Sequence, residues 1–175
     1  MIFQNLQVDT ESLPSAEELK LKRLAPSYVK ASMIGNFIFF GIVGIVLVSV
    51  AFFTKGTSNL YHYLAAGVWL VLMGFSTWLI RADYQIKGFA LRAQDILFRR
   101  GVIFRREVSI PFNRVQHCEI KQGPIERMFN LKTLEIFTAG GQASDLSIPG
   151  LLPDEAQQIK DFVIKNASRH EQDDL

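Results

Sequence analysis

Residues 99–117, RRGVIFRREVSIPFNRVQH, set two arginine pairs around a short apolar run and then alternate apolar and polar side chains through a proline. Val102, Phe104, Val108, Ile110 and Phe112 fall on even positions, with Ile103, Arg105, Glu107 and Ser109 between them. A period of two buries one face of a strand, and only Arg106 interrupts the apolar one. Pro111 has no amide hydrogen to give a ladder, so it marks a strand end, an edge or a bulge. The stretch predicts sheet, with a turn at Gly101 that gathers at least some of Arg99, Arg100, Arg105 and Arg106 at one hairpin tip.

Downstream, TLEIF at 133–137 and DLSIP at 145–149 predict two more strands, joined through AGGQAS, whose paired glycines suit a turn. In QGPIERMFN (122–130), Gly123 and Pro124 break the preceding strand, and Ile125, Met128 and Phe129 at helical offsets predict one short turn that caps the sheet, with an exposed apolar knob for a partner or for lipid as the alternative. Pro153 is a good first helical residue, and Asp154 and Glu155 complement the amino-terminal dipole. Ala156, Ile159, Val163 and Ala167 then recur at helical spacing. The expected class is α+β: short antiparallel strands closed by a carboxy-terminal helix over residues 81–168, with a polar tail at 169–175. Ile110 and Leu134 are expected core positions.

Upstream the composition changes. No charged side chain lies between Lys30 and Lys55, nor between Lys55 and Arg81. Each gap exceeds the roughly 20 helical residues that cross a hydrocarbon core, which predicts transmembrane helices at about 31–53 and 60–80. Two buried helices of a soluble protein are the alternative, and such helices seldom lack charge over two successive stretches. Lys20, Lys22, Arg23 and Lys30 precede the first span, and Arg81, Lys87 and Arg92 follow the second, whereas the loop TKGTSN holds one cation. That bias predicts both termini in the cytoplasm. Tyr28, Tyr61, Tyr63, Trp78 and Tyr84 sit near the expected ends, where amphipathic rings favour the headgroup layer. Asn36 is expected to hydrogen-bond across the helix pair. Residues 1–30 read as a cytoplasmic arm, in which SAEE at 15–18 has capping-box spacing, and the polar character of that arm argues against a cleaved signal peptide.

Catalytic chemistry finds little support. His117, Cys118 and Glu119 adjoin one another, but consecutive strand residues point to opposite faces and cannot converge on one ion. Cys118 is the only cysteine, which excludes an internal disulfide and a cysteine-rich zinc site. There is no GxSxG elbow, no Walker loop and no GxGxxG, and the net charge of +2 does not point to nucleic acid. No catalytic residue, metal or cofactor is expected.

The motifs RRGVIFRREVSIPFNRVQHCEIKQGPIERMFNLKTLEIFTAGG and SIPGL, with the paired spans ahead of them, closely resemble the bacterial pleckstrin-homology domain of YdbS-like membrane proteins over about residues 24–167. The resemblance implies a PH-like fold with two bent antiparallel sheets and a closing helix, and it supplies no activity. It also implies a partner, either further copies of the chain or a larger paralogue carrying several such domains. The resemblance therefore implies a non-enzymatic scaffold or assembly module at the cytoplasmic face of a bacterial plasma membrane, with a phospholipid-handling protein or enzyme as the alternative. A small transporter subunit is weaker, because the spans lack buried ionisable residues. Arg99, Arg100, Arg105 and Arg106 are the candidate contacts for anionic lipid; the competing reading is a solvated edge protected by charge.

Overall fold

The computed structural model describes residues 20–54, 59–139 and 144–173. The uncharged stretches form α1 (Ser27–Phe53) and α2 (Asn59–Ile86), each long and apolar enough to cross a membrane. The rest of the protein buries none of their apolar windows, so side chains such as Phe39, Val48, Phe53 and Val71 stand open. A core helix of a soluble protein would be covered. Both helices outrun the apolar segments, because charge marks the edge of the apolar layer whereas a helix ends where its backbone bonds end. Thus α1 begins at Ser27 rather than at 31, and α2 continues past 80 to Ile86. Asn36 joins the pair as expected: its Nδ2 donates to Thr77 Oγ1 at 3.1 Å, and its Oδ1 accepts from Ser76 Oγ at 3.0 Å.

Two antiparallel sheets follow. The first runs in the order β1 (Lys22–Arg23), β2 (Gly88–Leu91), β3 (Asp95–Arg100), β4 (Arg106–Pro111). The second is β5 (Val115–Lys121), β6 (Lys132–Thr138), β7 (Leu146–Leu151). Helix α4 (Pro153–Asp173) closes them, and it continues into the segment expected to be a polar tail. Its Ala156, Ile159 and Val163 meet Phe89, Ile96, Phe98 and Ile110 of the first sheet and Leu134, Ile136, Ile148 and Leu151 of the second in one buried core. A 3-10 turn at Phe112–Arg114 links the sheets, and its fully buried Phe112 meets Phe162 of α4 edge to face at 5.8 Å. Pro149 lies in β7, an edge strand where a missing donor is tolerated.

Three sequence expectations are corrected. Lys22 and Arg23, assigned to the arm, pair with Phe89 and Gly88 as an edge strand, and the adjoining Leu24 is 2% exposed in the core. The membrane hairpin is therefore inserted between two neighbouring strands of one sheet. The predicted capping box at 15–18 lies outside the described residues. The alternation through residues 102–112 does not form one buried face. Ile110 is buried and Val108 packs against the core, but 101–105 is a loop, Val102 is half-buried and Phe104 is 87% exposed. Finally α3 (Pro124–Met128) does not cap the sheet: its Ile125, with Phe129, packs on Ala25, Tyr28, Ala31 and Leu131 at the foot of α1, and Met128 is exposed.

Candidate functional site

The site grows from the β3–β4 hairpin. Gly101 has φ +97, a left-handed conformation, and a Cβ there would stand 2.1 Å from the carbonyl oxygen of Phe104. Only glycine closes this turn without moving the backbone. The register then sets Arg99 opposite Glu107 and Arg100 opposite Arg106. Arg99 Nε donates to Glu107 Oε2 at 2.8 Å, which ties its charge to the strand. Arg100 and Arg106 are like charges in direct opposition, an arrangement that destabilises a ladder unless an anion lies between or above them.

Beside the hairpin is a cleft of about 540 Å³. Arg99, Arg105 and Arg106 line it together with Arg23 of β1 and Lys87, which follows α2; Glu107 is its carboxylate. Of the four arginines expected to act together, three meet here, and Arg100 stands outside the lining. Arg23 and Lys87 were missed by sequence reasoning. Their only local signal was membership of the charged flanks of the spans, and their convergence depends on β1 pairing with β2 across the whole membrane hairpin. Among the described residues, Arg23, Arg100, Arg105 and Arg106 pair with no carboxylate.

Lys87 is the best held of the cations. Its Nζ lies 2.5 Å from Asp83 Oδ2 and donates to the Tyr28 hydroxyl at 3.1 Å. Burial works against its charge, and the Asp83 carboxylate and Tyr28 together outweigh that burial, so the ammonium titrates above the usual lysine range. Asp83 Oδ1 also accepts from the Gly101 amide at 3.2 Å. A continuous chain of contacts, Tyr28 to Lys87 to Asp83 to Gly101, thereby joins α1, α2 and the hairpin turn. The Tyr84 hydroxyl adds a bond to the Leu24 carbonyl at 3.2 Å, fixing the end of α2 to the short segment between β1 and α1.

The neighbouring His117, Cys118 and Glu119 behave as strand alternation requires. The His117 ring stacks on Phe137, with centroids 4.3 Å apart, and its Nε2 lies 3.7 Å from Glu119 on the outer face of β5. Cys118 points inward, and burial pushes its thiol up to about 11. Among the described residues no group of three His, Cys, Asp or Glu side chains is placed to hold a metal ion. What the arrangement offers is electrostatic: a cluster of charged donors beside two apolar helices, suited to phosphate oxygens.

A model of the bacterial PH domain matches residues 34–167. The chain is 24% identical over 152 residues to the UPF0699 transmembrane protein YdbS of Bacillus subtilis (strain 168), with 83% of this chain and 91% of that protein covered. It is 30% identical over 123 residues to the UPF0699 transmembrane protein YdbT of the same organism, with 68% and 24% covered, so it spans about a quarter of that relative. No solved structure matches.

Proposed function

The chain belongs to the bacterial PH domain family and is membrane-associated, and from that premise we propose that it is a non-enzymatic anchored module whose basic cleft faces the anionic lipids of a bacterial plasma membrane. The observation that carries the proposal is the position of the cleft. Arg23, Arg105 and Arg106 lack carboxylate partners among the described residues, Lys87 is held charged, and all four lie where the membrane helices enter the domain. Anionic lipid attracts cations near the surface by about 1 kcal/mol each. The excess of lysine and arginine outside the interhelical loop supports a cytoplasmic location for this cleft and for both termini.

The module works as a platform. Hydrogen bonds at the helix ends leave the domain little freedom to swivel, so it presents the same outer surfaces to partners at the membrane. Likeness to part of a larger transmembrane relative supports an assembly with such a protein or with further copies of this chain.

Native mass spectrometry of the full chain in detergent tests the lipid contact. Phosphatidylglycerol is expected to be retained in preference to phosphatidylcholine, and Arg105→Gln with Arg106→Gln is expected to remove the preference. Equal retention of both lipids, or a preference unchanged in the double variant, contradicts the proposal. Turnover of either lipid would make the chain an enzyme. Purification from native membranes as a lone monomer would exclude the assembly role.

A further inference from the structure

We propose that Val102, Ile103 and Phe104, the tip of the β3–β4 hairpin, form a wedge inserted into the same leaflet that the basic cleft faces, giving the protein a third membrane contact beside its two helices. The inference rests on the reading that α1 and α2 span the bilayer.

The tip is exposed without being polar. Ile103 is 68% and Phe104 87% exposed, in a loop whose path is set by the left-handed Gly101. Apolar side chains held out in this way mark a contact surface. Its neighbour identifies the partner. Val102 and Ile103 share a hollow of about 280 Å³ with Leu79, Ile80 and Asp83 of α2. Leu79 and Ile80 end the uncharged run of that helix, immediately before Arg81. The loop therefore stands level with the last turn of the apolar segment, where a membrane helix leaves hydrocarbon for headgroups. The bond from the Gly101 amide to Asp83 holds it at that depth.

Charge follows the same boundary. Arg99 and Arg100 precede the apolar triad, and Arg105 and Arg106 follow it. Long cationic side chains extend toward phosphates while apolar neighbours enter the acyl boundary, which is the division an interfacial segment requires. Lipid also accounts for three successive apolar side chains at 102–104 that lie outside the buried core. A second copy or another protein could cover the same tip, so the experiment must tell lipid from protein.

Nitroxide labels on the full chain in phosphatidylglycerol-containing proteoliposomes do this. The label sites are Phe104→Cys, Val71→Cys and Glu119→Cys, each with Cys118→Ala. Val71 is open on α2, and Glu119 is open on the outer face of β5. The Phe104 label is expected to collide severalfold more often with oxygen than with a water-soluble nickel chelate, as at Val71, and to keep that ratio in high salt. The Glu119 label should favour the chelate. If the Phe104 label is as open to chelate as Glu119 while Val71 stays shielded, the helices span and the wedge does not exist. Shielding of the Phe104 label from both reagents would show a protein cover and overturn the lipid assignment. Chelate access at Val71 as well would overturn the spanning helices along with the wedge.

Discussion

Gly150 shows how a single residue holds the membrane helices to the domain. It lies in β7 with φ +69, and a Cβ there would stand 2.7 Å from the ring of Tyr28 in the first turn of α1. Its carbonyl accepts from the Ala25 amide at 3.0 Å, so the same position takes both the segment leading into α1 and the helix itself. Gly150→Ala would place a side chain in the left-handed region, at about 1–2 kcal/mol, and add an overpacking term of about 1–3 kcal/mol. Thermal unfolding of the full chain in detergent is expected to fall by several degrees. Gly41→Ala is the control, because a Cβ there meets nothing within 4 Å. Equal stability of the two variants would mean that α1 is not docked on β7. Charge at the cleft calls for similar care. Arg99→Glu would set a second carboxylate opposite Glu107 and break the 2.8 Å pair, so a glutamine at Arg105 or Arg106 probes lipid contact with less disturbance.

Among the elements, β6, β7 and α4 were legible because each is long enough to show its period, and because Pro153, Asp154 and Glu155 sign the helix start. The two apolar helices were legible for the same reason. β1 was not, since a strand of 2 residues has no period to read, and its partner lies beyond both membrane helices. For the candidate site, the arginine hairpin could be read from its spacing. Arg23 and Lys87 could not, because their place in the cleft follows from that distant pairing. The consequence for the domain is measurable. A chain beginning at Asp83 lacks β1, the core residue Leu24 and the Lys22–Glu155 ion pair at 2.7 Å. Loss of a buried leucine alone costs about 2–5 kcal/mol. A chain in which residues 20–26 are joined to 83–173 by a short flexible linker restores all three, and the join is short because Arg23 and Gly88 are register partners. Urea unfolding should place the linked chain well above the truncated one. Coincident midpoints would show that β1 is dispensable.

At the scale of the whole molecule, a helical hairpin interrupts a sheet and both of its ends are bound to that sheet. The two helices and the domain are consequently one mechanical unit: Tyr84 holds Leu24, Lys87 joins Tyr28 to Asp83, and Asp83 holds the hairpin turn. On the proposed reading, orientation at the membrane follows from covalent connection and hydrogen bonding, and the arginines need not supply it; their proposed part is to add attraction to a surface already faced. The proposed reading puts the domain and the segment between the helices on opposite sides of the bilayer, with the domain in the cytoplasm. The most direct measurement is labelling by a membrane-impermeant thiol reagent in intact spheroplasts expressing the full chain with Cys118 replaced. A cysteine at Ser58, between α1 and α2 in the sequence, is expected to react before lysis, and one at Ser168, on α4, only after it. Reaction at Ser168 in intact spheroplasts, with Ser58 protected, would contradict the cytoplasmic placement of the domain and of its basic cleft.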